Sequence, residues 1–183
     1  MKNIIKLTLA LCVVFLTGSC KSNKVEEVEI PCSTSSMKQK QGIMRASQSA
    51  SHSHESESRE IALLNAKRRL ASNLESKIKS VVDKYSQTRE IAGVSEFNQK
   101  IEGLTREVVN KRLSWVEIIC EKMMFDKKAN QYKTYVAVEM NIENILADLD
   151  SQISNDQKLR QDYDKKKFEE IFNKEMAALS NQN

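Results

Sequence analysis

Proline occurs once in 183 residues and glycine only four times. A β-sandwich or barrel needs turn residues at short, regular intervals, so this scarcity points instead to a helix-rich domain. Histidine is almost as scarce: His52 and His54 are the only two, two positions apart. That leaves no dispersed imidazole for a nucleophile–base pair, and no G-x-S-x-G elbow is present. The four glycines form neither a phosphate loop nor a dinucleotide fingerprint. Cysteine never recurs as C-x-x-C, so no zinc pattern appears. Paired carboxylates do occur, at Glu26-Glu27 and Glu169-Glu170. Neighbours at i,i+1 diverge on a helix, however, and make poor acid–base partners. The expectation is a non-catalytic protein without a cofactor. A one-signed charge is missing as well. Without residues 1–19, which hold Lys2 and Lys6, 27 basic side chains face 25 acidic ones. That near balance leaves no footprint for nucleic acid.

The first twenty residues are the exception to this polar, balanced composition. Lys2 and Lys6 precede a nearly unbroken apolar run from Leu7 to Leu16. The run is too short for a bilayer span and reads as a cleaved signal, residues 1–19. The stretch VFLTGSCK (residues 14–21) closes it with three small residues and a cysteine. It resembles a bacterial lipoprotein signal, in which the thiol, here Cys20, takes a diacylglyceryl group. Leu16 stands one step further upstream than in the strictest form of that box. Two or three acyl chains, at about 0.8 kcal/mol per buried methylene, would hold the chain on a membrane. Lys21 after the anchor resembles lipoproteins sent on to the outer membrane, whereas retention signals place aspartate there. Glu26-Glu27 loosely resembles surface-export signals, so the periplasmic and cell-surface faces both stay open. The competing reading is an ordinary secreted protein with an incidental cysteine.

Residues 20–41 read as a tether, rich in Ser, Lys, Gln and Glu and interrupted by Pro31. Fully drawn out it spans about 70 Å. Cys12 leaves with the leader, so Cys32 and Cys120 remain in an oxidising compartment and are expected to pair. That cross-link is worth roughly 4–5 kcal/mol in the chain-entropy model. The alternative is a buried, inert Cys120 with a free thiol at Cys32.

Periodicity organises the rest. Met44, Ala46, Gln48 and Ala50 alternate along a strand expected from Ile43 to about His54. Leu63, Ala66, Leu70, Leu74, Ile78, Val81 and Tyr85 mark a long amphipathic helix over residues 57–86. After Gly93 a second helix carries Val94, Phe97, Ile101, Leu104 and Val108. Glu102–Arg106 and Glu107–Lys111 are placed to pair on its wet face. The period then falls to two. Val116, Ile118 and Cys120 share one face of a strand, a polar DKKANQ turn follows, and Thr134, Val136, Val138 and Met140 share one face of the next. Asn141 can cap a short helix bearing Ile142, Ile145, Leu149 and Ile153. Ser154 and Gln157 form a capping box for a last charged helix ending near Leu179. The order β-α-α-β-β-α-α predicts an α+β domain: a small antiparallel sheet of about three strands packed on a long helix.

AKRRLASNLESKIKSVVDKY, GLTREVVN, IICEK and YKTYVAVEM, in that order, make the chain similar to the Lpp-twenty lipoprotein family. The likeness covers residues 42–153. It implies a dodecin-like sheet wrapped on a long helix, an outer-membrane lipoprotein, and no established enzymatic activity. The charged helix of residues 154–183 lies outside it.

Three surfaces are candidates for contacts. His52 and His54 fall on one side of a strand, as two metal ligands need, with Glu55 and Glu57 to complete a site. The plain reading is a solvated strand end. Trp115 and Tyr135 fit the hairpin's second face and mark an interaction surface there unless a helix covers them. Lys67-Arg68-Arg69 can meet anionic groups, or simply form the wet side of its helix. The sequence therefore leads first to a membrane-anchored module that binds an envelope protein or its own copy. A ligand- or metal-binding lipoprotein is the second reading.

Overall fold

The computed structural model describes residues 28–38 and 40–180. The fold is α+β, as the periodicity predicts. Strand β1 (Ile43–His52) leads into helix α1 (Glu55–Gln87) and helix α2 (Val94–Arg112). A hairpin of β2 (Glu117–Asp126) and β3 (Gln131–Asn141) follows, then helices α3 (Glu143–Asn155), α4 (Leu159–Asp162) and α5 (Lys165–Ser180). The sheet is antiparallel in the order β1-β3-β2, so β3 is central.

Helix α1 spans 33 residues because apolar side chains recur at every third or fourth position while the intervening ones are polar. Ala62, Ala66, Leu70, Leu74, Ile78, Val81 and Tyr85 have no exposed surface. Each fully buried leucine or isoleucine contributes about 1.5–3 kcal/mol relative to exposure. Glu55 and Glu57 sit in the first turn, where the helix dipole favours negative charge. Thr88 ends the helix, its backbone N–H and its hydroxyl both donating to the Tyr85 carbonyl. Gly93 then takes a φ of 72°, which it adopts without the Cβ penalty of other residues, and α2 turns back along α1.

The α1 helix lies over β1 and β3. The ladder pairs Met44 with Met140, Ala46 with Val138, Gln48 with Val136 and Ala50 with Thr134, so these residues share the helix-facing side. Ser58 of α1 reaches into that layer. Its hydroxyl donates to the Ala50 carbonyl at 3.1 Å and shares a 2.8 Å hydrogen bond with Thr134, which keeps two buried polar side chains satisfied.

Four expectations need correction. The first strand stops at His52, because its last partner is Tyr132 near the end of β3; Ser53 and His54 turn into α1. In β2, one extra residue at Ile119 interrupts the ladder: Ile118 pairs with Val138, but Cys120 pairs with Ala137. A bulge inverts the alternation, so Ile118 and Cys120 lie on opposite faces rather than together. On α2, Val94 is 39 % exposed instead of joining the buried stripe. There Glu102 pairs with Lys79 of α1 rather than with Arg106.

The predicted capping box is also replaced. Ser154 lies in the last turn of α3, and Asp156 ends that helix, its Oδ1 accepting the N–H groups of Lys158 and Leu159 at 2.9 Å. Asp164 opens α5 by accepting the Lys167 N–H at 3.0 Å. Asp side chains here outcompete the Ser–Gln pair. Helix α5 is no appendage. Phe168, Phe172 and Met176 recur every fourth residue, are buried, and belong to the same core as α1 and the sheet.

Candidate interaction surface

All helices that pack on the sheet do so on one side, so the opposite side and the β2 edge decide what the molecule presents. Cys32 and Cys120 form a disulfide, with Cα atoms 5.5 Å apart. The bulge at Ile119 is what makes it possible: Cys120 shares the face of Ala137, away from α1. The segment after Cys32 is therefore pinned. Thr34–Ser36 form a 3-10 turn against β1, and Arg45 Nη1 donates to the Lys38 carbonyl at 2.6 Å. The tether expected to run freely to residue 41 is held from Cys32 onward. Cys32 has a φ of 57°, a left-handed conformation that costs a non-glycine residue about 1–2 kcal/mol. Cys20 and residues 1–19 lie outside the described residues.

Among the described residues, the edge strand β2 is paired along one side only. α1 reaches it through the ion pair of Arg59 with Glu121, at 2.9 Å. Ile118, Met124 and Phe125 are 46–50 % exposed, and Trp115, in the short turn that leads into β2, is 75 % exposed. Tyr135 sits on the predicted face, half-buried, paired with Lys122 and with the Lys133 ammonium 5.1 Å from its ring centre. The two predicted aromatic residues are not neighbours. Trp115 lies before the Glu117–Glu139 pair, several ladder steps from Tyr135. What the sequence reading missed is the remaining apolar part of this edge. IICEKMMF carried the signal, but only the strand order shows that β2 has no partner on its outer side.

The histidines come together without a third ligand. Their ring centres are 5.7 Å apart, and His52 Nδ1 accepts the backbone N–H of His54 at 3.2 Å. Glu57 Oε2 stands 4.0 Å from that nitrogen and accepts the Ser56 hydroxyl. Among the described residues no group of three His, Cys, Asp or Glu side chains is placed to hold a metal ion. The continuous strand assumed for the pair ends at His52, and the alternation ends with it. Arg68 and Arg69 are exposed on α1, the solvated reading of that cluster.

A groove of about 980 Å³ opens between α5, α3, α1 and the start of β1, floored by Met44, Ile142, Phe172 and Met176. Asp150 sits at its rim, accepting the Tyr163 hydroxyl at 3.0 Å and Lys165 Nζ at 2.7 Å. Burial, reinforced by Asp150, pushes the Tyr163 hydroxyl far above its ordinary range. It stays protonated, so the pair ties α3 to the start of α5 rather than exchanging protons. Among the described residues no helix is long and apolar enough to cross a membrane.

The class these observations define is a disulfide-stapled α+β domain with helices on one side of a three-stranded sheet. Compared with models of known protein families and with curated proteins, the chain matches none.

Proposed function

We propose that this chain is a lipid-anchored, non-catalytic interaction module of the cell envelope. It is held at the outer membrane through acylated Cys20 and binds an envelope protein or a second copy of itself. The observation that carries the reading is the uncovered start of β2, where Trp115 is 75 % exposed beside Ile118 at 46 %. Large apolar side chains on an unpaired strand edge are a liability unless a partner covers them. The likeness of residues 42–153 to the Lpp-twenty lipoproteins supports the same address. Intact mass of the native protein should show Cys20 acylated and residues 1–19 removed. A photoreactive amino acid at position 115 should cross-link in whole cells to one envelope protein or to another copy. A bare residue 20 in freely released protein would overturn the reading. So would cross-linking from position 115 no stronger than from position 174 on the helical side.

The groove supports a second reading, a ligand-binding envelope lipoprotein. Its volume lies within the range of small-molecule pockets, and its apolar floor with a charged rim suits an amphipathic guest. That reading requires a small molecule in the organic extract of native protein that is missing from an extract of the Phe172→Asp variant.

A further inference from the structure

The tip of the β2–β3 hairpin concentrates positive charge. Residues 122–133, KMMFDKKANQYK, hold Lys122, Lys127, Lys128 and Lys133 against one carboxylate, Asp126. The local excess is +3, while residues 20–183 as a whole carry only 27 basic against 25 acidic groups. Asp126 is engaged within the turn, its Oδ1 accepting the N–H groups of Lys128 at 2.8 Å and Ala129 at 3.1 Å. All four lysines are exposed, and among the described residues none forms an ion pair. Apolar bulk stands beside them: Met124 is 50 % exposed and Phe125 47 %, its ring 4.9 Å from that of Tyr132. Asn130, in a left-handed conformation with φ 51°, closes the turn and keeps the tip narrow.

From this arrangement we infer that the hairpin tip docks onto an anionic lipid surface. Lysines are flexible point charges, suited to a fluid array of phosphates, whereas a fixed carboxylate pattern favours the fork of arginine, which the tip lacks. Exposed aromatic and thioether side chains flanked by lysines sit at the boundary between headgroups and acyl chains. The attraction falls away within about 8–10 Å at ordinary ionic strength, so only a protruding element can use it. The geometry agrees with the anchor proposed above, on which the inference rests in part. Cys32 is bonded to Cys120, and the twelve residues from Cys20 to Cys32 reach at most about 40 Å. The tip stands about 20 Å along β2 from Cys120.

The test removes the acyl chains from the question. A chain beginning at Lys21 keeps the disulfide and every core residue named above. It should co-sediment with vesicles of equal parts phosphatidylglycerol and phosphatidylcholine, but not with phosphatidylcholine alone, and high salt should release it. Lys127→Glu with Lys128→Glu should weaken binding roughly tenfold or more. Lys166→Glu with Lys174→Glu, the same charge change on exposed positions of α5, should leave it unaltered. No binding to the anionic vesicles overturns the inference. Equal loss in both double variants overturns the location, since net charge alone would then explain it. Acylation of Cys20 and cross-linking from position 115 are read separately, so either proposal can fail without the other.

Discussion

Tyr85 is the residue on which the C-terminal third is hung. Its ring is fully buried, stacked near Phe97 and edge-on to Phe168. Its hydroxyl donates to the Asp162 carbonyl at 2.8 Å and accepts the Asp164 N–H at 2.7 Å. Burial pushes that hydroxyl above its ordinary range, so it keeps its proton at any physiological pH. Tyr85→Phe leaves a part-buried carbonyl and a part-buried N–H without this partner, which costs roughly 1 kcal/mol or more. Urea unfolding of this variant should show a lower midpoint with an unchanged slope; an unaltered midpoint would mean that water replaces the hydroxyl. Tyr85 was legible in the sequence as the last apolar member of the α1 stripe. Its second role was not, because both partners lie more than seventy residues away.

At the scale of elements, the bulge in β2 sets where the covalent staple goes. Were Ile119 accommodated in a regular ladder instead of a bulge, strict alternation would turn Cys120 to the face of Ile118, toward α1 and out of reach of Cys32. Deleting Ile119 removes the bulge but leaves Cys120 opposite Ala137 on the same face, so the variant should keep the disulfide and show no alkylatable thiol, as in the parent, counted by mass spectrometry after blocking under denaturing, non-reducing conditions. Two alkylatable thiols in the deletion variant would show that the local geometry of the bulge, rather than the face of Cys120, makes the bond possible. Helix limits were easier to read. Gly93 separates α1 from α2 as its scarcity suggests, and both stripes, Val94 apart, fall where the period places them. The α3–α5 junction was not, since Ser154–Gln157 and Asp156 are rival caps at the same place and only packing of Leu159 and Phe168 decides between them.

For the whole molecule, ion pairs tie the layers together more than they decorate single helices. Lys84 of α1 bonds Glu175 of α5 and lowers its pKa, and Arg112 of α2 does the same for Asp148 of α3. Backbone N–H groups, that of Leu159 first, lower Asp156. Each carboxylate titrates below its unfolded value, so its contribution is complete above the ordinary carboxylate range and fades as pH falls through the folded pKa. Stability toward urea should hold level from neutral pH to about pH 5 and drop below about pH 4. Glu175→Gln should make that drop shallower. A stability profile that instead collapses between pH 6 and 7 would show that these carboxylates do not set it.

Amino-acid order alone determined the class of fold and the strand–helix succession, and narrowed the thiols that join to two, because these depend on local periodicity, turn chemistry and the small number of cysteines. It also carried the lipoprotein-like stretch around Cys20 on which the proposed anchor rests; Cys20 lies outside the described residues. Tertiary structure decided which side of the sheet receives the disulfide, that α5 joins the central core, and that β2 is left as an open edge. Those outcomes depend on strand order, on one inserted residue in a ladder and on contacts between distant positions. No window of neighbouring residues contains that information.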